Sequence, residues 1–248
     1  MLDLFLKLMF EELLRFNNRE YDSDMLQVIH CRFHLTLCSD QWYFFEHKTV
    51  AEILDRDTAL KLLDFIMFHA SKKKIAQLQK SDLKMGLDKL VEVFGIPRAG
   101  ERSARISHNL AVMDNYLKSS INPLQMFSCL KGDLNISTVE IFGERKAIAA
   151  KGLFFLQGKI ALYQLKNNKK IGSLKTDELE AAVKYLRHDL ACNPDSWETW
   201  YRMGQTFEVQ MEDAQTWNSE YMNVKRAELV ALERVRLILP PHPKAFFG

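Results

Sequence analysis

Glycine and proline are scarce in this 248-residue chain, at 10 and 6. So few breakers leave little punctuation for strands and tight turns, and few segments alternate apolar and polar residues as a half-buried strand does. Helix is the expected state throughout, and the expected fold class is all-α. Charge of one sign is lacking too: 34 Lys and Arg stand against 32 Asp and Glu, a net of +2. A general nucleic-acid binder carries a clear basic excess, so no specific nucleic acid is expected as a partner. Cysteine is sparse, with Cys31, Cys38, Cys129 and Cys192 only. On one helix Cys31 and Cys38 would stand about 10 Å apart, beyond the roughly 7 Å limit of a disulfide, and such usage suits a reducing compartment. No run reaches the roughly 18 uncharged apolar residues of a membrane span, so no membrane partner is expected. Nucleophile-elbow, H-E-x-x-H and P-loop motifs are also missing. Gly95 and Gly100 have the P-loop spacing, but no Lys-Ser/Thr follows and a helix stop explains them. Acidic pairs such as Glu11/Glu12 and Glu212/Asp213 read as solvated surface. Catalytic residues and cofactors are therefore expected to be none, and the chain is not expected to be an enzyme.

What is present is apolar mass at helical spacing. Hydrophobic residues make up 47% of the chain, enough for a substantial core. Asp3, Lys7, Glu11 and Arg15 recur every four residues and draw a polar stripe down Met1–Phe16. Such a stripe marks a mostly buried helix rather than a signal peptide. A second helix is expected over Asp24–Cys38. Thr49-Val-Ala-Glu52 reads as a capping box opening the next helical region. Ser81 is expected to cap a helix that stops at Gly95, with Pro97 close behind. Ile106, Leu110, Met113 and Leu117 mark another helix. Gly132–Gly143 is the least helical stretch, so the boundary is drawn there: a helical region over 1–143, and regular hairpins over 144–248. In the second region helices are expected at Glu144–Lys166, Asp177–Cys192, Ser196–Met211 and Tyr221–Leu239.

Trp200-x2-Met203-Gly204-x2-Phe207 matches the first-helix pattern W-x2-L-G-x2-Y of a tetratricopeptide (TPR) unit. Large residues there fill the space between helices, and glycine admits the partner helix despite costing about 1 kcal/mol of propensity. Ala182, Leu186 and Pro194 fall at the small, large and helix-ending positions of a preceding second helix. Phe154 and Gly158 stand where an earlier Trp and Gly would be, 46 residues upstream of Trp200, one repeat of about 34 plus about 12. The stretch Met211–Trp217 is read as an inserted linker. The expected architecture is thus an α-solenoid of TPR-like stacked helical hairpins, with an irregular N-terminal half.

The run from Leu186 to Asn223 carries Asp189, Leu190, Asn193, Pro194, Ser196, Trp197, Trp200, Tyr201 and Arg202, then Asp213 and Trp217. In this order it resembles the TPR region of the large subunit of the histone-regulation (HIR) chaperone complex, whose animal counterpart is the calcineurin-binding Cabin protein. The resemblance implies an internal piece of a far longer nuclear scaffold. It implies WD-repeat subunits of that complex as partners, core histones reached at most indirectly, and a role in replication-independent nucleosome assembly and histone gene transcription. Nothing in the sequence sets an oligomeric state.

Trp200 and Phe207 occupy packing positions, whereas Trp197 and Trp217 are not required by the repeat. Tryptophan is enriched at binding hot spots. The candidate partner-binding residues are Trp197, Tyr201, Arg202 and Trp217. Two alternatives stand beside this reading. One is a generic TPR adaptor gripping a peptide tail. The other is a helical metalloprotein using His30, His34 and Cys38, which fall at i, i+4 and i+8 if one helix carries all three. A straight helix offers only adjacent ligand pairs, so half-buried helix residues explain that trio more simply.

Overall fold

Leu6 and Phe10 lie one turn apart, and both are buried when the first helix, α1 (Leu2–Phe16), packs against α2 (Asp22–Phe33). The computed structural model describes residues 2–16, 19–38, 47–118, 137–167 and 176–217. Among these every regular element is helical: ten α-helices and two 3-10 turns. They fall into two compact units, Met1–Ile96 and Pro97–Gly248. The change of pattern read at 143/144 lies inside the second. Expected features at 122–123, 168–175 and 221–239 lie outside the described residues.

The first unit holds α1, α2, α3 (Arg56–Ser71), the short α4 (Ile75–Gln79) and α5 (Leu83–Phe94). Ile29, Leu62, Ile66, Leu87, Leu90 and Phe94 are fully buried there. Two expectations need correction. The second helix ends at Phe33, because His34 turns left-handed with φ 49°. Thr49 and Glu52 do not open a helix either. Their side chains are committed elsewhere: the Thr49 hydroxyl donates to the Cys31 carbonyl, and Glu52 accepts from Arg32 at 2.7 Å and pairs with Lys7 at 3.3 Å. Asp55 caps α3 instead, accepting the Thr58 amide at 2.9 Å and its hydroxyl at 3.0 Å. Gly95 ends α5 as expected, at φ 62°.

The second unit is built around one helix. In it, α9 (Thr176–Cys192) packs against α6 (Ala104–Lys118), α7 (Glu144–Ala150), α8 (Leu153–Asn167) and α10 (Trp197–Trp217). Ala161, Leu162, Leu165, Ala182 and Val209 form a buried cluster where α8, α9 and α10 meet. The single helix expected over Glu144–Lys166 is two, divided at Gly152, whose φ of 80° glycine adopts without strain. At Gly158 an added Cβ would stand 2.5 and 2.6 Å from Leu186 carbons, so glycine sets how closely α8 and α9 approach. Residues 137–143 form no strand. Val139 is tied to α6 instead: Asn109 accepts its amide at 2.8 Å and donates to its carbonyl at 2.9 Å.

Candidate partner-binding face

The site begins with the corner that joins α9 to α10. Asp189 is 2% exposed and accepts the Thr199 hydroxyl at 2.7 Å across the Asn193-Pro194 turn. Ser196 shares a hydrogen bond with the same hydroxyl at 2.7 Å. Lys146 of α7 donates to the Cys192 carbonyl at 3.1 Å and to Asn193 Oδ1 at 2.5 Å. Trp200 donates its indole N–H to the Pro194 carbonyl at 2.7 Å and is otherwise buried. Asn109 donates to the Ala191 carbonyl at 2.9 Å, adding α6 to the corner. Most of the motif Asp189 to Trp200 is therefore structural, since it satisfies the backbone groups that a tight helix turn leaves over.

Burial sets the titration of this corner. Lack of solvent pushes the Asp189 carboxyl up to about 6, against the Thr199 hydroxyl and Lys146, which favour its ionised form. The neighbouring His188 packs edge-on to the Phe154 ring at 4.5 Å. Burial, with Arg145 and Arg102 nearby, pushes it down to about 4. At neutral pH His188 is uncharged.

From this corner α10 projects Trp197 and Tyr201, 52% and 40% exposed, one turn apart on the same side. Arg202 lies beside Tyr201, its guanidinium carbon 5.2 Å from the ring centre. Gln205 links the two, accepting from Arg202 at 2.9 Å and donating to the Tyr201 hydroxyl at 3.0 Å. Three of the four expected site residues are thus brought together. Trp217 is not. The expected linker is helical, so Trp217 sits 16 residues beyond Tyr201 on one helix. That is about 24 Å along the axis and nearly the opposite side; its side chain lies outside those described. The face gains residues the sequence did not point to. Phe155 and Lys159 of α8 border it, with the ammonium 5.1 Å from the Phe155 ring centre. Burial first, and then the Arg202 charge, hold the Lys159 ammonium below its usual range, while Glu198 pulls the other way.

His30, His34 and Cys38 are not presented together on one helix, because α2 stops at Phe33. His30 pairs with the Thr36 hydroxyl at 3.0 Å, and His34 meets the Thr49 carbonyl at 2.9 Å. Among the described residues no group of three or more His, Cys, Asp or Glu is arranged to hold a metal. No helix of the described residues is long and apolar enough to cross a membrane.

The chain as a whole is similar to known proteins. The model of the HIR3 helical bundle domain matches residues 71–238. The chain belongs to the histone transcription regulator 3 family. A second model, the histone transcription regulator 3 helical domain, matches residues 3–53. Among curated relatives, the histone transcription regulator 3 homolog of Aspergillus fumigatus is 33% identical over 231 residues, 93% of this chain and 11% of that protein. The homolog of Chaetomium globosum is 32% identical over 235 residues, 93% of this chain and 12% of its own length. That of Yarrowia lipolytica is 27% identical over 247 residues, 95% of this chain and 13% of the relative. The chain thus corresponds to little more than a tenth of the histone transcription regulator 3 proteins it matches. The family resemblance read from the sequence is borne out, with matches that extend over most of this chain.

Proposed function

We propose that this chain is a non-enzymatic scaffold segment of a nuclear histone chaperone complex and serves histone transcription regulation. It acts by docking other subunits, foremost the WD-repeat ones, on the face of α8 and α10. The observation that carries the reading is Trp197 and Tyr201 standing exposed beside a buried, hydrogen-bonded corner in a chain of the histone transcription regulator 3 family. Aromatic side chains held in place by a packed support bind at low entropic cost. We read α8, α9 and α10 as TPR-type hairpins, with Phe154/Gly158 and Trp200/Gly204 in corresponding places. Core histones are reached through the other subunits, since this chain carries a net charge of only +2 and no acidic tract.

Affinity capture from nuclear extract tests the reading. Used as bait, the chain should retain WD-repeat chaperone subunits through a high-salt wash. Capture of histones alone, lost at high salt, would instead indicate charge pairing without a specific interface.

A further inference from the structure

Each of two neighbouring helices contributes one cation to the same face. Lys159 lies four residues after Phe155 on α8, and Arg202 four residues after Glu198 on α10, so each pair occupies one side of its helix. Each cation sits against an aromatic ring, Lys159 on Phe155 at 5.1 Å and Arg202 on Tyr201 at 5.2 Å. Among the described residues neither forms an ion pair with a carboxylate. Arg202 spends one N–H on the neutral Gln205 side chain, which also holds the Tyr201 hydroxyl. Its guanidinium is therefore oriented before any partner arrives.

Two like charges, half-buried and close enough to depress the Lys159 ammonium, lower the stability of the face when it is empty. Glu198 offsets this in part. A carboxylate from outside would relieve it further, because a charge-assisted hydrogen bond gains strength where water is already displaced. We infer that Lys159 and Arg202 together receive a carboxylate of an acidic protein segment, while Trp197 and Tyr201 pack against its apolar atoms. The inference rests on the face being a partner-docking surface, as proposed above, and adds the chemistry of what docks. A protein segment fits better than a nucleic-acid strand. Among the described residues Lys159 and Arg202 are the cations placed on this face, with Glu198 close enough to act on Lys159, whereas a strand needs a continued row of positive charge.

Fluorescence anisotropy of the whole chain with a labelled Glu-rich peptide tests this, with a Gln-rich peptide and single-stranded DNA for comparison. The Glu-rich peptide should bind, weaken as salt rises, and outcompete both others. Lys159→Met and Arg202→Gln should each weaken it about tenfold, the scale of one charge-assisted hydrogen bond. Lys159→Arg should retain binding, and Lys166→Gln, on the exposed end of the same helix, should leave it unchanged. Circular dichroism confirms that each variant is folded. Equal binding of DNA, or indifference to Lys159→Met and Arg202→Gln, would overturn the inference. If the acidic peptide fails while Tyr201→Ala still abolishes capture of chaperone subunits, the docking face stands and its acidic partner does not.

Discussion

His188 and Asp189 are chain neighbours whose burial acts on stability in opposite directions over nearly the same pH range. His188 falls from 6.5 to about 4 on folding, so the unfolded chain binds the extra proton between those values. Its contribution is present above 6.5 and is lost as pH falls. Asp189 rises from 3.8 to about 6, so the folded chain holds the extra proton. Its contribution is present at low pH and is lost as pH rises through that window. Each effect is on the order of 3 kcal/mol, and in the native chain they largely cancel. The pair should therefore add almost no slope of its own to urea denaturation between pH values of about 4 and 6, leaving the rise with pH set by groups such as His69, whose burial holds it below its usual range. Asp189→Asn should make stability climb more steeply with pH than in the native chain over that range, and His188→Gln should shift the slope the other way. Variant profiles whose slopes do not depart from the native one in these opposite directions would contradict the pairing. Glycines allow a second residue-level test. Gly158→Ala drives a Cβ into Leu186 near its branch point and should cost about 1–3 kcal/mol. Gly86→Ala meets mainly the far end of the Leu37 side chain and should cost less, because that methyl can swing aside. Thermal melts that reverse this order would be inconsistent with the packing described.

Elements are held in place here by polar groups as much as by apolar ones. Asn109 serves three backbone groups, two on Val139 and one on Ala191. Asn109→Ala would leave buried backbone groups without partners, at about 1–3 kcal/mol for each one water cannot reach. Hydrogen exchange at the Val139 amide should then speed up sharply while the middle of α9 stays protected. Unchanged exchange at Val139 would show that the 137–143 segment is held by other contacts. Helix starts follow the same logic. Asp55→Ala should cost about 1 kcal/mol through loss of the α3 cap. Thr49 and Glu52 share the residue types of a capping box, but their partners lie on α1 and α2. Local spacing cannot reveal that competition, so the helix start was misread. The end of α10 was misread for the converse reason. Met211–Trp217 looks surplus to a repeat of about 34 residues, yet it contains neither Gly nor Pro. Nothing in it stops a helix.

At the scale of the molecule, the all-α class was legible because apolar residues recur at helical spacing with few breakers. The family was legible from the run Asp189–Arg202, since a corner that must satisfy its own backbone leaves a dense local pattern. Within that run the sequence marks Trp197, Tyr201 and Arg202, which the structure brings together, whereas Trp217 lies at the far end of the same helix. Lys159 was missed because its role depends on α8 meeting α10, some forty positions away in the chain. Asn109 carried a faint signal, a polar residue within the apolar stripe of Ile106, Leu110 and Met113. Its partner at Ala191 lies 82 positions away.

The most direct measurement is calorimetric titration of the chain with a purified WD-repeat subunit of the complex, using native protein and a Trp197→Ala/Tyr201→Ala double variant. The scaffold assignment predicts binding by the native chain and a loss of about tenfold or more in the variant, the scale of a hot-spot pair, with unchanged helical content. Equal affinity for both would place the interface elsewhere on the chain, and no binding by a folded native chain would contradict the scaffold role itself.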